Sequence, residues 1–236
     1  MMATWSIARN FLRENRWPVL ILLAWIIFTT VVTADFGRAR VVPYDVIFFV
    51  QQQAVYICAF SAFLAANAIH NERKSRRILL VLSKAVSRGE YLLAMLIGTL
   101  TMTVVYDLLF VVCCTWLAHR AGLSADGVWS VAVLVIAASA IAAAVAMFFS
   151  TFLNPYLAIA LTVTTFGAPA LVHAEHHLWF RLVPGLPVLL DILRFRFRAG
   201  WLIDWGAVVI ALLEAALFWG LAVIVFSYRD IAVPVE

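Results

Sequence analysis

The stretch that decides the fold is residues 128–152, VWSVAVLVIAASAIAAAVAMFFSTF, which contain no charged residue. An α-helix rises about 1.5 Å per residue, so this stretch is long enough to cross roughly 30 Å of hydrocarbon. The whole chain of 236 residues is 65% hydrophobic and 13% charged. Soluble chains are typically about 45–50% apolar and about 25% charged, so this chain is expected to lie mostly inside a bilayer.

Five further apolar runs are also long enough to span a membrane. Backbone groups in lipid must be satisfied within the segment, and the alternating runs of about ten residues typical of a barrel are absent from the sequence, so the runs predict helices. We therefore predict an all-α, polytopic membrane protein that forms a single transmembrane domain over residues 1–236. Its six predicted transmembrane helices are 17–33, 46–67, 91–116, 128–152, 156–172 and 201–226.

Three other segments complete this prediction. Residues 1–16 are expected to form an interfacial helix, because Arg9, Arg13 and Arg16 share one helical face and apolar side chains occupy the other. The alternative is a plain basic tail. Residues 68–90 are predicted to be a cytoplasmic coupling segment, and residues 173–200 an external re-entrant or hairpin segment.

The distribution of Lys and Arg predicts the orientation. Ten of the 17 lie in the amino-terminal segment, the loop after the second span and the tail. The other seven lie on the opposite side, four of them in residues 173–200, so the prediction depends on the early loops. We expect both termini in the cytoplasm and the chain in the inner (plasma) membrane of a bacterium.

Polar groups within the spans are the candidates for a translocation path. A charged residue at the centre of a spanning helix costs roughly 2.5–3.5 kcal/mol, which makes Asp107 and Glu214 functional candidates. Three consecutive glutamines point around most of a helix, so at least one faces protein or water. The predicted path residues are Gln51, Gln52, Gln53, Asp107, Thr162, Thr165 and Glu214. The alternative for each is a structural hydrogen bond between helices.

A histidine cluster after the fifth span has the spacing of a metal site. His173 and His177 are one helical turn apart, and His176 lies between them. No further ligands follow at a recognisable spacing, so we expect an interfacial cluster and no resident metal. The arginine–aromatic alternation at residues 194–198 is expected to contact membrane lipids and not nucleic acid.

A basic segment interrupts the apolar sequence. Residues 71–95 are NERKSRRILLVLSKAVSRGEYLLAM. A segment that only anchors the cytoplasmic side needs positive charge, but it does not need this order of residues. We therefore interpret residues 71–90 as a docking element for a soluble partner, with simple anchoring as the alternative.

The order of residues resembles a cytoplasmic stretch of type-2 ABC exporter permeases, Glu-Arg-x-x-Gly-Thr-Leu-x-x-Leu-Leu-Ser-x-Pro-Val-Ser-Arg-x-Glu, which is followed by a Gly-Lys pair. The matching residues are Glu72, Arg73, Leu79 to Leu82, Ser83, Val86, Ser87, Arg88 and Glu90. The departures are Arg76-Arg77 for Gly-Thr, Ala85 for Pro and Ala94-Met95 for Gly-Lys. The tail 226–230 and the segment 184–193 also resemble that family.

The resemblance implies a permease subunit without catalytic residues of its own. The chain has no Gly-x-x-x-x-Gly-Lys-[Ser/Thr] phosphate loop, so ATP and Mg are expected in a separate ABC ATPase subunit. The permease would pair with itself or with a paralogue. The sequence does not identify the transported substrate. The implied coupling residues are Glu72, Arg73, Arg76, Arg77, Ser83, Val86, Ser87, Arg88 and Glu90.

Two other classes of function remain alternatives. One is an intramembrane metalloenzyme that uses the histidine cluster with Glu175 or Glu214. The other is a membrane scaffold that transports nothing.

Overall fold

The computed structural model describes residues 2–35, 41–74, 87–171, 183, 185–194 and 203–228, with the backbone alone at 2–4, 70–74 and 167–171. These ranges contain eight helices and no strand, which confirms the all-α prediction. The helices are α1 (Met2–Glu14), α2 (Arg16–Asp35), α3 (Pro43–Lys74), α4 (Arg88–Arg120), α5 (Asp126–Ser150), α6 (Pro155–Leu171), α7 (Leu186–Leu193) and α8 (Trp205–Tyr228).

Five helices of the described ranges are long and apolar enough to cross a membrane: α2, α3, α4, α5 and α8. They include five of the six predicted spans. Helix α6, the predicted fifth span, is apolar but has 17 residues, and the chain beyond Leu171 lies outside the described residues. The sixth crossing therefore stays a prediction.

Helix α5 is the centre of the bundle. It packs against α3, α4, α6, α7 and α8, and it is buried along most of its length. Its many alanines let neighbouring backbones approach closely, which is how helices associate in lipid. The closest neighbour is α3, whose Ser61 hydroxyl donates to the Ser139 carbonyl at 2.9 Å.

Contacts between helix ends define two distinct ends of the bundle. At one end, the start of α4 meets the end of α8 through Arg88 and Phe226. We call this the basic end, because α3 leads from it into the basic segment. At the opposite end, Arg120 of α4 lies 3.5 Å from Asp35 of α2.

Helix α1 packs on α4. Ala8 and Phe11 are buried, and a Cβ added to Gly98 would lie 2.7 Å from the Phe11 ring. Glycine at this position therefore lets α1 and α4 approach closely. The predicted amino-terminal helix is present, but part of its apolar face is covered by protein, while Arg9 and Arg13 stay exposed.

Candidate coupling and translocation sites

The structure describes three of the nine predicted coupling residues with their side chains. Glu72 and Arg73 lie in the last turns of α3, where the backbone alone is described. Four residues lie outside the described ranges: Arg76, Arg77, Ser83 and Val86. The remaining three begin α4: Ser87, Arg88 and Glu90.

Ser87 and Glu90 form a capping box that begins α4. The Ser87 hydroxyl accepts from the Glu90 backbone N–H at 3.2 Å, and the Ser87 N–H donates to Glu90 Oε2 at 3.0 Å. Such reciprocal bonds satisfy backbone donors that have no partner within the helix. The Ser-x-x-Glu spacing therefore determines where α4 begins within the basic segment.

Arg88 joins the start of α4 to the end of α8. Its Nη1 donates to the carbonyl oxygens of Phe226 and Ser227, at 2.7 Å each, and the guanidinium lies 5.9 Å from the Phe226 ring centroid. The last carbonyls of a helix lack partners within it, and a cation there is favourable. A Cβ added to Gly89 would also lie 3.4 Å from Val223, so the two helix ends are in close contact.

These contacts give the Ser-Arg-x-Glu sequence a role within the chain. The sequence predicts that Ser87, Arg88 and Glu90 contact a partner. The spacing of Ser87 and Glu90 is typical of a capping box, so this contact could have been predicted from the sequence. No local signal identified the partner of Arg88, which is 138 residues further along the chain.

The three consecutive glutamines have three different environments. Gln51 Nε2 donates to the Leu193 carbonyl at the end of α7, at 2.6 Å. Gln52 Nε2 donates to the Tyr56 hydroxyl on the same helix, at 2.8 Å. Gln53 is fully buried between helices. Gln53 is thus separated from the other two, whose side chains are only partly buried.

Gln53 connects α2, α3 and α4. Its Oε1 accepts from the Tyr106 hydroxyl at 2.7 Å, and its Nε2 donates to the Thr29 hydroxyl at 3.1 Å. This arrangement corresponds to the structural alternative stated for the path residues. Interhelical hydrogen bonds in membrane proteins contribute on average about 0.6 kcal/mol and at most about 1.7 kcal/mol.

Replacing Gln53 with leucine is expected to destabilise the bundle. The change removes both interhelical bonds and leaves the buried Tyr106 hydroxyl without its acceptor, at a cost of about 1–3 kcal/mol. Thermal unfolding in detergent measures the effect. Gln52→Leu is the matched control, because its bond lies within one helix, and it is expected to change the melting temperature little. Equal losses in the two variants would contradict the structural role of Gln53.

Asp107 is buried in the bundle. It is 3% exposed, and its Oδ1 has no hydrogen-bond partner among the described residues. It lies close enough to Cys58 and Cys114 for electrostatic interaction. A buried carboxyl group with an unsatisfied oxygen is costly in a membrane, so Asp107 remains a functional candidate.

Glu214 is bonded to the start of α7. Its Oε2 accepts from the Gly185 N–H at 2.7 Å, and Gly185 is the N-cap of that helix with φ +68°. A carboxylate at a helix N-terminus is favourable. Glu214 lies nine residues after Trp205, so α7 begins about 14 Å along α8 from the opposite end. Helix α7 thus enters the bundle instead of lying across its end.

Helix α7 is held at both of its ends. Glu214 binds the N-terminus, and Gln51 binds the carbonyl of Leu193 at the C-terminus. A Cβ added to Gly185 would lie 2.9 Å from Ile141 and 2.9 Å from Phe166, so the turn before α7 is tightly enclosed. Asp107 and Glu214 thus have different surroundings. The sequence predicted both as functional candidates, but it did not predict which residues surround them.

A cavity of about 380 Å³ lies between α3, α5, α6 and α7. We call it the apolar cavity, because hydrocarbon side chains form nearly all of its lining, among them Val55, Ala59 and Leu189. Thr162 also lines it, but the Thr162 hydroxyl donates to the Ala158 carbonyl of its own helix at 2.8 Å. Thr165 likewise bonds the Leu161 carbonyl, at 2.7 Å.

A smaller pocket of about 280 Å³ adjoins the apolar cavity and shares Val55 and Leu193 with it. We call it the glutamine pocket, because Gln51 and Gln52 line it together with Tyr56. Of the predicted path residues, Gln51, Gln52 and Thr162 thus line the two pockets. Among the described lining residues, neither Asp107 nor Glu214 is present.

The histidine cluster of His173, His176 and His177 lies outside the described residues. Within the part of the chain that the structure describes, no group of three or more histidine, cysteine or acidic residues is placed to hold a metal ion.

The sequence matches no family model and no curated protein.

Proposed function

We propose that this chain is the permease subunit of an ATP-driven, type-2 ABC exporter. The observation that carries the proposal is the contact at the basic end: Arg88, at the start of α4, is bonded to the end of α8, and residues 75–86 connect α3 to α4 in the sequence. A force applied to that segment would act on three spanning helices together. The resemblance of residues 71–95 to the coupling stretch of such permeases supplies the partner, an ABC ATPase subunit.

Coupling works as a rigid-body shift in this proposal. Closure of the ATPase subunits around ATP pushes on residues 75–86, and the ends of α3, α4 and α8 move together. The equilibrium between the inward- and outward-facing states of the bundle then shifts. ATP and Mg are bound by the partner, and this chain contributes the path.

The topology of the proposed permease has six crossings. Helix α6 and the residues beyond it supply the crossing that the 17 described residues leave short. Both termini lie in the cytoplasm of a bacterium, and the chain sits in the inner membrane. A second copy, or a paralogue, completes the path.

The docking role of the basic segment makes a first prediction about assembly. Arg76→Glu together with Arg77→Glu reverses charge in the segment without touching the α4–α8 contact. We expect these changes to abolish co-purification of the partner ATPase subunit and to remove the effect of the permease on ATP turnover. The measurement is the ATPase recovered with the tagged permease.

Arg120→Glu is the matched control, because Arg120 is exposed at the opposite end of the bundle. Unchanged recovery of ATPase in the Arg76 and Arg77 variants would contradict the docking role and favour a scaffold without transport. Metal that co-purifies with the chain, and activity that a chelator abolishes, would instead favour the metalloenzyme.

A further inference from the structure

The apolar cavity and the glutamine pocket follow one another along α3. Gln52 is nine residues from Pro43, or about 14 Å from the opposite end of the bundle, and Ala62 is 19 residues from it, or about 28 Å. The polar groups thus lie nearer the opposite end, and the apolar surface lies deeper. A ligand that fills both pockets must change from polar to apolar along its length.

The apolar cavity accepts hydrocarbon and excludes polar groups. The Thr162 hydroxyl is already bonded to its own helix, so it offers no hydrogen to a ligand. A polar group placed there would lose its bonds to water without replacement, which is costly. The volume of about 380 Å³ lies within the range of about 300–1,000 Å³ that ligand sites occupy.

The glutamine pocket offers hydrogen bonds without charge. The Tyr56 hydroxyl accepts from Gln52 Nε2, so its own hydrogen is left to donate. Gln51 Nε2 is bonded to Leu193, and its amide oxygen is an acceptor. The described lining of both pockets includes no Lys, Arg, Asp or Glu, so a charged head group would find no counter-ion among these lining residues.

We infer that the two pockets form one binding site for a single-chain amphiphile with an uncharged, hydroxyl-bearing head group. The hydrocarbon chain occupies the apolar cavity, and the head group bonds Tyr56 and Gln51. Such an amphiphile would be the substrate of the proposed exporter. Its transport rests on the proposed function, whereas its binding is a property of this chain alone.

Photolabelling tests the apolar half of the site. The probe is a monoacylglycerol with a diazirine near the end of its chain, added to the purified full chain in phospholipid nanodiscs. We expect labelled peptides from α3, α6 and α7. Ala59→Trp fills the cavity from an exposed position, so the fold tolerates it, and labelling falls about tenfold because the indole takes the space of the hydrocarbon chain.

Ala216→Trp is the matched control, because Ala216 is an exposed alanine of α8 away from both pockets, and its labelling is expected to stay unchanged. Equal labelling of the α8 surface and the cavity, or no loss in Ala59→Trp, would overturn the inference. Either outcome would mean that the probe labels only residues exposed to bulk lipid.

The polar half is tested with Tyr56→Phe. Loss of one hydrogen bond is expected to weaken labelling by the monoacylglycerol roughly twofold to tenfold, and to leave labelling by a diazirine alkane unchanged. Equal effects on both probes, or stronger labelling by a fatty-acid probe with a charged carboxylate, would contradict the assigned head group. The photolabelling experiment contains no ATPase subunit, so its result does not depend on ATPase association. Failure of ATPase association would reject the proposed function and would leave the labelling result unaffected.

Discussion

Gly185→Ala is expected to lower the melting temperature of the chain by about 4–20 °C. Two costs combine at this position. A residue with a Cβ in the left-handed region pays about 1–2 kcal/mol, and Gly185 has φ +68°. The new methyl group also meets Ile141 and Phe166 at 2.9 Å each, and overpacking of this kind costs about 1–3 kcal/mol. A loss of about 1 kcal/mol corresponds to roughly 2–4 °C for a chain of this size.

Gly122→Ala separates the two costs. Gly122 has φ +70°, but a Cβ added there meets no atom within 4 Å. We expect the melting temperature of this variant to fall by only about 2–8 °C, from backbone strain alone. The measurement is thermal unfolding of both variants in the same detergent. Equal losses would show that the enclosure of the turn before α7 contributes nothing, and would contradict the packing described for it.

Arg88→Ala is expected to loosen the basic end of the bundle and to uncouple ATP hydrolysis from transport. Hydrogen bonds to a charged group contribute about 1.5–3 kcal/mol, and Arg88 donates two of them, to Phe226 and Ser227. Without them, amide hydrogen exchange in the last turn of α8 should rise roughly tenfold or more. The ATPase subunit should still co-purify, because Arg73, Lys74, Arg76, Arg77 and Lys84 of the basic segment keep their charges.

Two variants make the Arg88 result specific. Arg120→Ala removes an exposed arginine 3.5 Å from Asp35, and such surface pairs contribute about 0–1 kcal/mol, so exchange in α8 should stay unchanged. Arg88→Lys keeps the charge but loses the forked geometry that reaches two carbonyls, so an intermediate effect is expected. Loss of ATPase binding in Arg88→Ala with normal exchange in α8 would instead assign Arg88 to the partner, as the sequence analysis did.

Hydropathy predicted most of the fold, because each span is a nearly continuous apolar run. Predicted and observed ends differ most where helices continue into polar sequence. Helix α3 extends to Lys74 and α4 starts at Arg88, whereas the apolar runs were bounded at 67 and 91. The helical hydrogen bonds continue beyond the apolar part, and hydropathy does not report them.

The partners of the polar residues were harder to predict. The capping box at Ser87 was readable, since its two residues are three apart. The hydrogen bond between Gly185 and Glu214, by contrast, joins the turn before α7, which the sequence did not predict, to the middle of a spanning helix. Composition marked Glu214 as costly in lipid, but it did not indicate that the carboxylate binds the N-terminus of α7. Such pairings depend on how helices pack, which spacing along the chain does not encode.

The most direct test of the proposed permease is a photo-crosslink from the basic segment, with a photoreactive amino acid at Leu80 in cells. We expect an adduct with a phosphate-loop ATPase whose yield changes when ATP hydrolysis is blocked, and no such adduct from the same photoreactive residue placed at Ala125, at the opposite end. Absence of an ATPase adduct at Leu80, or labelling of a cysteine at that position by an impermeant reagent from outside the cell, would contradict the proposed function.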